Sequence, residues 1–146
     1  MTLALTRRQF VLAGSAAAAV LALAPMAGAE DWALDGYDPV LLRREGRAVA
    51  GSSAIYTHWR GQVWHFASED SRASFEANPR LYAPGFDGLC PIALEEGRPN
   101  PGNPHYVVII GERVYLTRSE AARNRLLADP RRVLMAAKAS WLRLGH

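Results

Sequence analysis

The chain has 146 residues, 49% of them apolar, with 17 basic and 14 acidic side chains and a net charge of +3. That length suits one domain with a modest core. The near-even charge balance excludes the electrostatic footprint of a nucleic-acid binder, and a single cysteine excludes an internal disulfide.

The first element is a leader. "TRRQF" places Arg7 and Arg8 before an apolar run from Val11 to Ala24, and "PMAGAE" follows with small residues at Ala27 and Ala29. A basic region, an apolar region and an A-x-A site in this order predict an export signal over residues 1–29, cleaved after Ala29. The apolar run is shorter than the roughly 20 residues that span a bilayer, which disfavours the alternative of an uncleaved anchor helix. The arginine pair before Phe10 resembles a twin-arginine signal and implies a periplasmic destination. Both arginines leave with the leader, so the charge falls from +3 to +1 and the isoelectric point of 9.4 overstates the basicity of the exported domain, 30–146.

Residues 30–36, "EDWALDG", lead into "YDPVLL", read as a short extended run with Pro39 near its start and a turn at Glu45-Gly46. "IYTHW" (55–59) and "VWHFA" (63–67) are rich in β-branched and aromatic residues and are separated by "RGQ", which predicts a hairpin. Trp64 and Phe66 share its core face, and Val63, His65 and Ala67 its wet face. Ser68 is the expected N-cap of a helix through "EDSRASFEAN" that stops before Pro79 and buries Phe75. "PRLYAP" adds one more turn. "GFDG" (85–88) is a chain reversal, after which Cys90 caps a short helix, "PIALEE", with Pro91 at its first position and Gly97 at its end. "YVVII" (106–110) and "RVYLT" (113–117) predict a second hairpin. Ser119 caps "EAARNRLLAD", and Asp129-Pro130 opens a last helix on which Val133, Leu134, Ala137, Trp141 and Leu144 recur at helical spacing. No internal repeat is expected, and no low-complexity tract beyond the leader. The expected class is α+β: one small domain of two β-hairpins and three to four short helices.

The order and spacing of "ALDGYDPV", "GQVWHFASEDSRASFEANPRLYAP", "GFDGLC" and "ERVYL…DP…A…W" resemble the YHS domain family, and more narrowly its exported bacterial branch of unknown function. The resemblance covers about residue 33 to Trp141 and implies a treble-clef-related unit. YHS domains that accompany heavy-metal transport ATPases bind zinc or copper through cysteines after "DPV" and after the hairpin aromatic. Here those places hold Leu41 and its neighbours, Ala67 and Ser71, so that ligand set does not carry over. The exported branch keeps the cysteine after the glycine turn, which implies soft-metal or redox chemistry at Cys90. "CPIA" stands where that branch reads "CAYG".

An N-cap sulfur faces unpaired backbone N–H groups and the positive end of a helix, a setting that favours thiolate. Asp87, Gly88 and Pro91 would shape the reversal, with Tyr37, Asp38, Trp64, Phe66 and Tyr82 as its framework. With one cysteine, any redox cycle needs an external thiol. His58 and His65, on facing strands, would join Cys90 as ligands for copper or zinc. The bland alternatives are a buried, inert cysteine and two histidines on a solvated sheet face. His105 follows a loop proline and is expected to be exposed. No base and nucleophile can be assembled: Ser68 and Ser71 read as helix-start residues, and adjacent Glu95 and Glu96 diverge. The leading expectation is a periplasmic soft-metal or thiol-redox module centred on Cys90. The alternative is a non-catalytic structural or interaction domain. Neither reading has a nucleic-acid partner or a membrane anchor after cleavage.

Overall fold

Asp38 and Pro39 open a helix where an extended run was expected. The Asp38 carboxylate accepts from the backbone N–H of Val40 at 2.8 Å and of Leu41 at 3.1 Å, and Pro39 takes the first helical position. Side-chain cap and preset φ together outweigh the β-propensity of a short apolar run. Helix α1 (Pro39–Glu45) buries Val40 and Leu42 and ends at Gly46. This is the element that the sequence reading misassigned.

The computed structural model describes residues 31–146; the leader expected at 1–29 lies outside them. Strands β1 (Ser52–Trp59) and β2 (Gln62–Phe66) form the first hairpin. Its two-residue turn, Arg60-Gly61, has φ of 52° and 76°, the positive values that match strand twist. Helix α2 (Glu69–Ala77) is capped by the Ser68 hydroxyl, which accepts from the Ser71 N–H, and α3 (Pro79–Tyr82) follows. Helix α4 (Pro91–Glu95) leads through a 3-10 turn to the second hairpin, β3 (Val107–Ile110) and β4 (Arg113–Leu116). Helices α5 (Glu120–Ala128) and α6 (Pro130–Arg143) close the chain, capped by Ser119 and Asp129. The fold is α+β: two separate antiparallel two-stranded sheets and six helices among the described residues. Six replaces the expected three to four because Asp38-Pro39 and Asn78-Pro79 each start a further helix. None of these helices is long and apolar enough to cross a membrane.

The element order contains a repetition that the residues conceal. A left-handed turn, a helix, a hairpin and two helices occur in the first half and again in the second. "ALDG" holds Leu34 and Asp35 at φ of 55° and 53°; "GFDG" holds Phe86 and Asp87 at 55° and 49°. The backbone bonds repeat too. Tyr37 N donates to Leu34 O as Leu89 N does to Phe86 O, Asp38 N to Val49 O as Cys90 N to Asn100 O, and Gly51 N to Gly36 O as Gly102 N to Gly88 O. Gly51 and Gly102 each lie where a Cβ would collide with the facing strand, 2.7 Å from the His65 carbonyl carbon and 2.3 Å from the Leu116 oxygen. Asn78 and Asp129 share an unusual conformation, φ/ψ of −154°/77° and −149°/71°, each before a helix-opening proline.

Each half builds its own core. Ala33, Val40, Trp64, Phe66, Phe75 and Tyr82 pack in the first, with Ile92, Val108, Ala122, Leu126 and Val133 around Cys90 in the second. A third cluster, Leu42 against Val107, Val114 and Leu116, is the seam between them. Arg43 donating to the Glu112 carbonyl at 3.0 Å, and the Tyr37 hydroxyl bonded to His105 Nε2 at 2.9 Å, fasten its rim.

Candidate functional site

Cys90 is the N-cap of α4, as its place before Pro91 predicts, yet its side chain makes no cap hydrogen bond. It has no exposed surface and packs against Ile92, Ala93, Val108, Ala122, Leu126 and Val133. The expected amide-facing, ligand-accessible sulfur is therefore corrected: the thiol lies in the apolar core of the second half. The repetition gives the reason. Cys90 occupies the slot that Asp38 fills in the first half, an N-cap position turned inward toward the hairpin.

The histidines are elsewhere. His58, on β1, is exposed and meets the Tyr56 ring edge-on at 5.5 Å. His65 is only 3% exposed and packs on Trp32 with ring centroids 4.6 Å apart. Its supposed wet face is covered by the residues leading into "ALDG", because β2 is buried on both sides. The ladder sets His58 opposite Val63 and His65 opposite Tyr56, so the two are not direct cross-strand partners. Cys90, His58 and His65 thus stand in three different surroundings. Among the described residues no group of three His, Cys, Asp or Glu side chains is placed to hold a metal ion. Cys90, His58 and His65 do not form the copper or zinc ligand set expected from the facing strands of the first hairpin.

The residues expected to frame the turn before Cys90 belong to the first half: Trp64, Phe66 and Tyr82 lie in its core and not in the cluster around Cys90. Asp38, Trp64, Phe66 and Tyr82 are buried, and Tyr37 is half-buried. Asp38 does more than frame: its second carboxylate oxygen accepts from the Ala67 N–H at 2.8 Å, tying α1 to the end of β2. His105 is exposed, as expected. Glu95 and Glu96 take different main partners, Arg132 for Glu95 and Arg118 for Glu96, with Arg125 between them meeting both. Glu96 accepts from Arg125 at 2.8 Å and Arg118 at 2.9 Å, and those bonds hold its carboxyl below the ordinary value of 4.5. Glu95 accepts from Arg132, a bond that raises that guanidinium's pKa, and lies 3.8 Å from Arg125.

The turn before Cys90, not the thiol, borders open space. Phe86 and Asp87 are non-glycine residues in the left-handed region, at about 1–2 kcal/mol each for an ordinary side chain. Such strain persists only where surrounding packing overrides it. Here Gly85 lets the Tyr115 ring lie against the turn, since a Cβ would sit 2.4 Å from Tyr115 Cε1. Phe86 is thereby held 5.8 Å from both Tyr115 and Trp141. The three half-buried rings line a cleft of about 770 Å3, completed by Leu134 and Met135 of α6 and by four cations, Arg60, Arg113, Arg131 and Lys138. Asp87, the one Asp or Glu side chain in the lining, is met by Arg60 at 3.6 Å, and His146 completes the lining, stacked on Trp141 with centroids 4.0 Å apart. Arg113, Arg131 and Lys138 have no carboxylate partner among the described residues.

No protein-family model, curated protein or solved structure matches this chain. The sequence reading named Asp87 and Gly88 as shaping neighbours of the cysteine but did not connect them with Tyr115, Trp141 or Arg131. The helical spacing of Arg131, Leu134, Lys138 and Trp141 was the available signal: it puts cations and an aromatic on one face of α6.

Proposed function

We propose that this chain is a non-catalytic binding domain of YHS type, exported to the periplasm by the twin-arginine route. Its ligand enters the cleft between the "GFDG" turn, β4 and α6, while Cys90 serves as a packing residue. The observation that carries this reading is the complete burial of Cys90 among aliphatic side chains, beside a turn whose aromatic ring faces the cleft. A small thiol in a close-packed core is a weakly polar hydrophobe, and without solvent access it neither exchanges with external thiols nor ligates an incoming ion. The cleft supports binding rather than turnover: its size suits a small molecule, four cations line it, its carboxylate Asp87 is met by Arg60, and its histidine, His146, is stacked on Trp141.

The test is the thiol itself. In the native protein, Cys90 is expected to react with a maleimide at least about a hundredfold more slowly than in the denatured chain, limited by opening of the core. Copper(I), copper(II) and zinc are expected to bind wild type and Cys90→Ala alike. Rapid native labelling, or metal uptake lost on replacing Cys90, would return the protein to the soft-metal or thiol-redox reading.

A further inference from the structure

We infer that the cleft selects a small aromatic anion: a planar ring system carrying a carboxylate, sulfonate or phosphate. This rests on the binding-domain reading and adds the chemistry of the ligand. Phe86 stands 5.8 Å from both Tyr115 and Trp141, and His146, which also lines the cleft, is stacked on Trp141 with centroids 4.0 Å apart, so a further ring would join an existing aromatic array by stacking or edge-on contact with Phe86 and Tyr115. Phe86 is offered from a left-handed backbone that a glycine would adopt more readily, so the turn keeps an aromatic side chain there against its conformational preference. Charge supplies the second half of the selection. Arg113 from β4 and Arg131 and Lys138 from α6 line the same cleft with no carboxylate partner among the described residues, while Asp87 is met by Arg60. Like charges gathered in a concave wall raise the local potential and favour an anion over a neutral molecule. Guanidinium groups also match the planar, two-oxygen face of a carboxylate or sulfonate. The cleft of about 770 Å3 falls within the range of small-molecule sites.

The probes are 2-naphthalenesulfonate, its neutral counterpart 2-naphthalenemethanol, and inorganic sulfate. Each is titrated into the purified protein by calorimetry, with the Trp141 indole N–H followed by NMR. The expected result is saturable 1:1 binding of the sulfonate that shifts the Trp141 resonance, at least about tenfold weaker binding of the alcohol, and no saturation by sulfate. Arg131→Gln/Lys138→Gln changes two exposed side chains and should preserve the thermal transition while weakening the sulfonate at least about tenfold. Equal affinity for sulfonate and alcohol, or no loss in the double variant, overturns the anion selection but leaves a binding cleft. No binding of either naphthalene compound overturns the cleft as a ligand site altogether. Binding to anionic phosphatidylglycerol vesicles without uptake of the sulfonate overturns it in favour of a membrane surface.

Discussion

In the first half of the molecule the slot before α1 holds Asp38, a buried carboxylate that accepts from the N–H groups of Val40, Leu41 and Ala67. In the second half the same slot, before α4, holds Cys90, whose side chain makes no cap bond and packs in an apolar cluster. One backbone plan is thus locked by polar bonds in one copy and by packing in the other. A buried carboxylate is tolerated only when its lone pairs are met, and the first half meets them with three amides. The comparison teaches that a residue's place in a motif does not establish its chemistry. The cysteine after the glycine turn looked like a reactive group, and its structural counterpart is a cap.

The two left-handed turns differ in a parallel way. Leu34 of "ALDG" packs against the first core and the seam between the halves. Phe86 of "GFDG", in the same conformation, faces the cleft. The same strained geometry therefore supports the interior in one copy and a recessed surface in the other.

The largest effect is expected at the polar slot. Asp38→Ala leaves three amides without their acceptor and should lower unfolding free energy by roughly 3–5 kcal/mol, measured by denaturant titration. A loss below about 1 kcal/mol would mean that water replaces the carboxylate and that the slot is less sealed than its burial indicates. Next come Gly51→Ala and Gly102→Ala. Each forces a Cβ into the backbone of the facing strand, so both should cost about 2–3 kcal/mol, and similar values for the pair would sharpen the equivalence of the halves. Cys90→Ala removes one sulfur from a packed cluster and should cost only about 1–2 kcal/mol. A cost equal to that of Asp38→Ala would break the contrast between polar and apolar locking.

The smallest effect concerns Glu96, which has no counterpart in the first half's hydrogen bonding. Its folded pKa lies below its unfolded value, so its contribution is fully present above the ordinary 4.5 and is lost as pH falls through the depressed value. Thermal melts of wild type should therefore fall between about pH 5 and pH 3 more steeply than those of Glu96→Gln. Parallel curves would remove Glu96 from the acid response.

Much of the fold was legible because its signals are local. Ser68, Ser119 and Asp129 cap the helices expected of them, and Arg60-Gly61 and Gly111-Glu112 turn the two hairpins. The signature of α1 was present as well, in Asp38 followed by Pro39, but a valine-leucine run drew the reading toward a strand. The repetition was hidden because few side chains coincide. Phe75 and Leu126, or Tyr82 and Val133, fill like places in their cores, and hydrophobic packing accepts either shape.

By itself, then, the amino-acid order determined which segments become hairpins and helices, since caps, prolines and alternation act over a few residues. It also determined that one thiol would precede a helix. Only the tertiary structure decided that this thiol points inward, that His65 lies under Trp32, and that the turn, β4 and α6 enclose a cationic, aromatic cleft. Burial and charge convergence depend on segments far apart in the chain, and no spacing rule reports which of them meet.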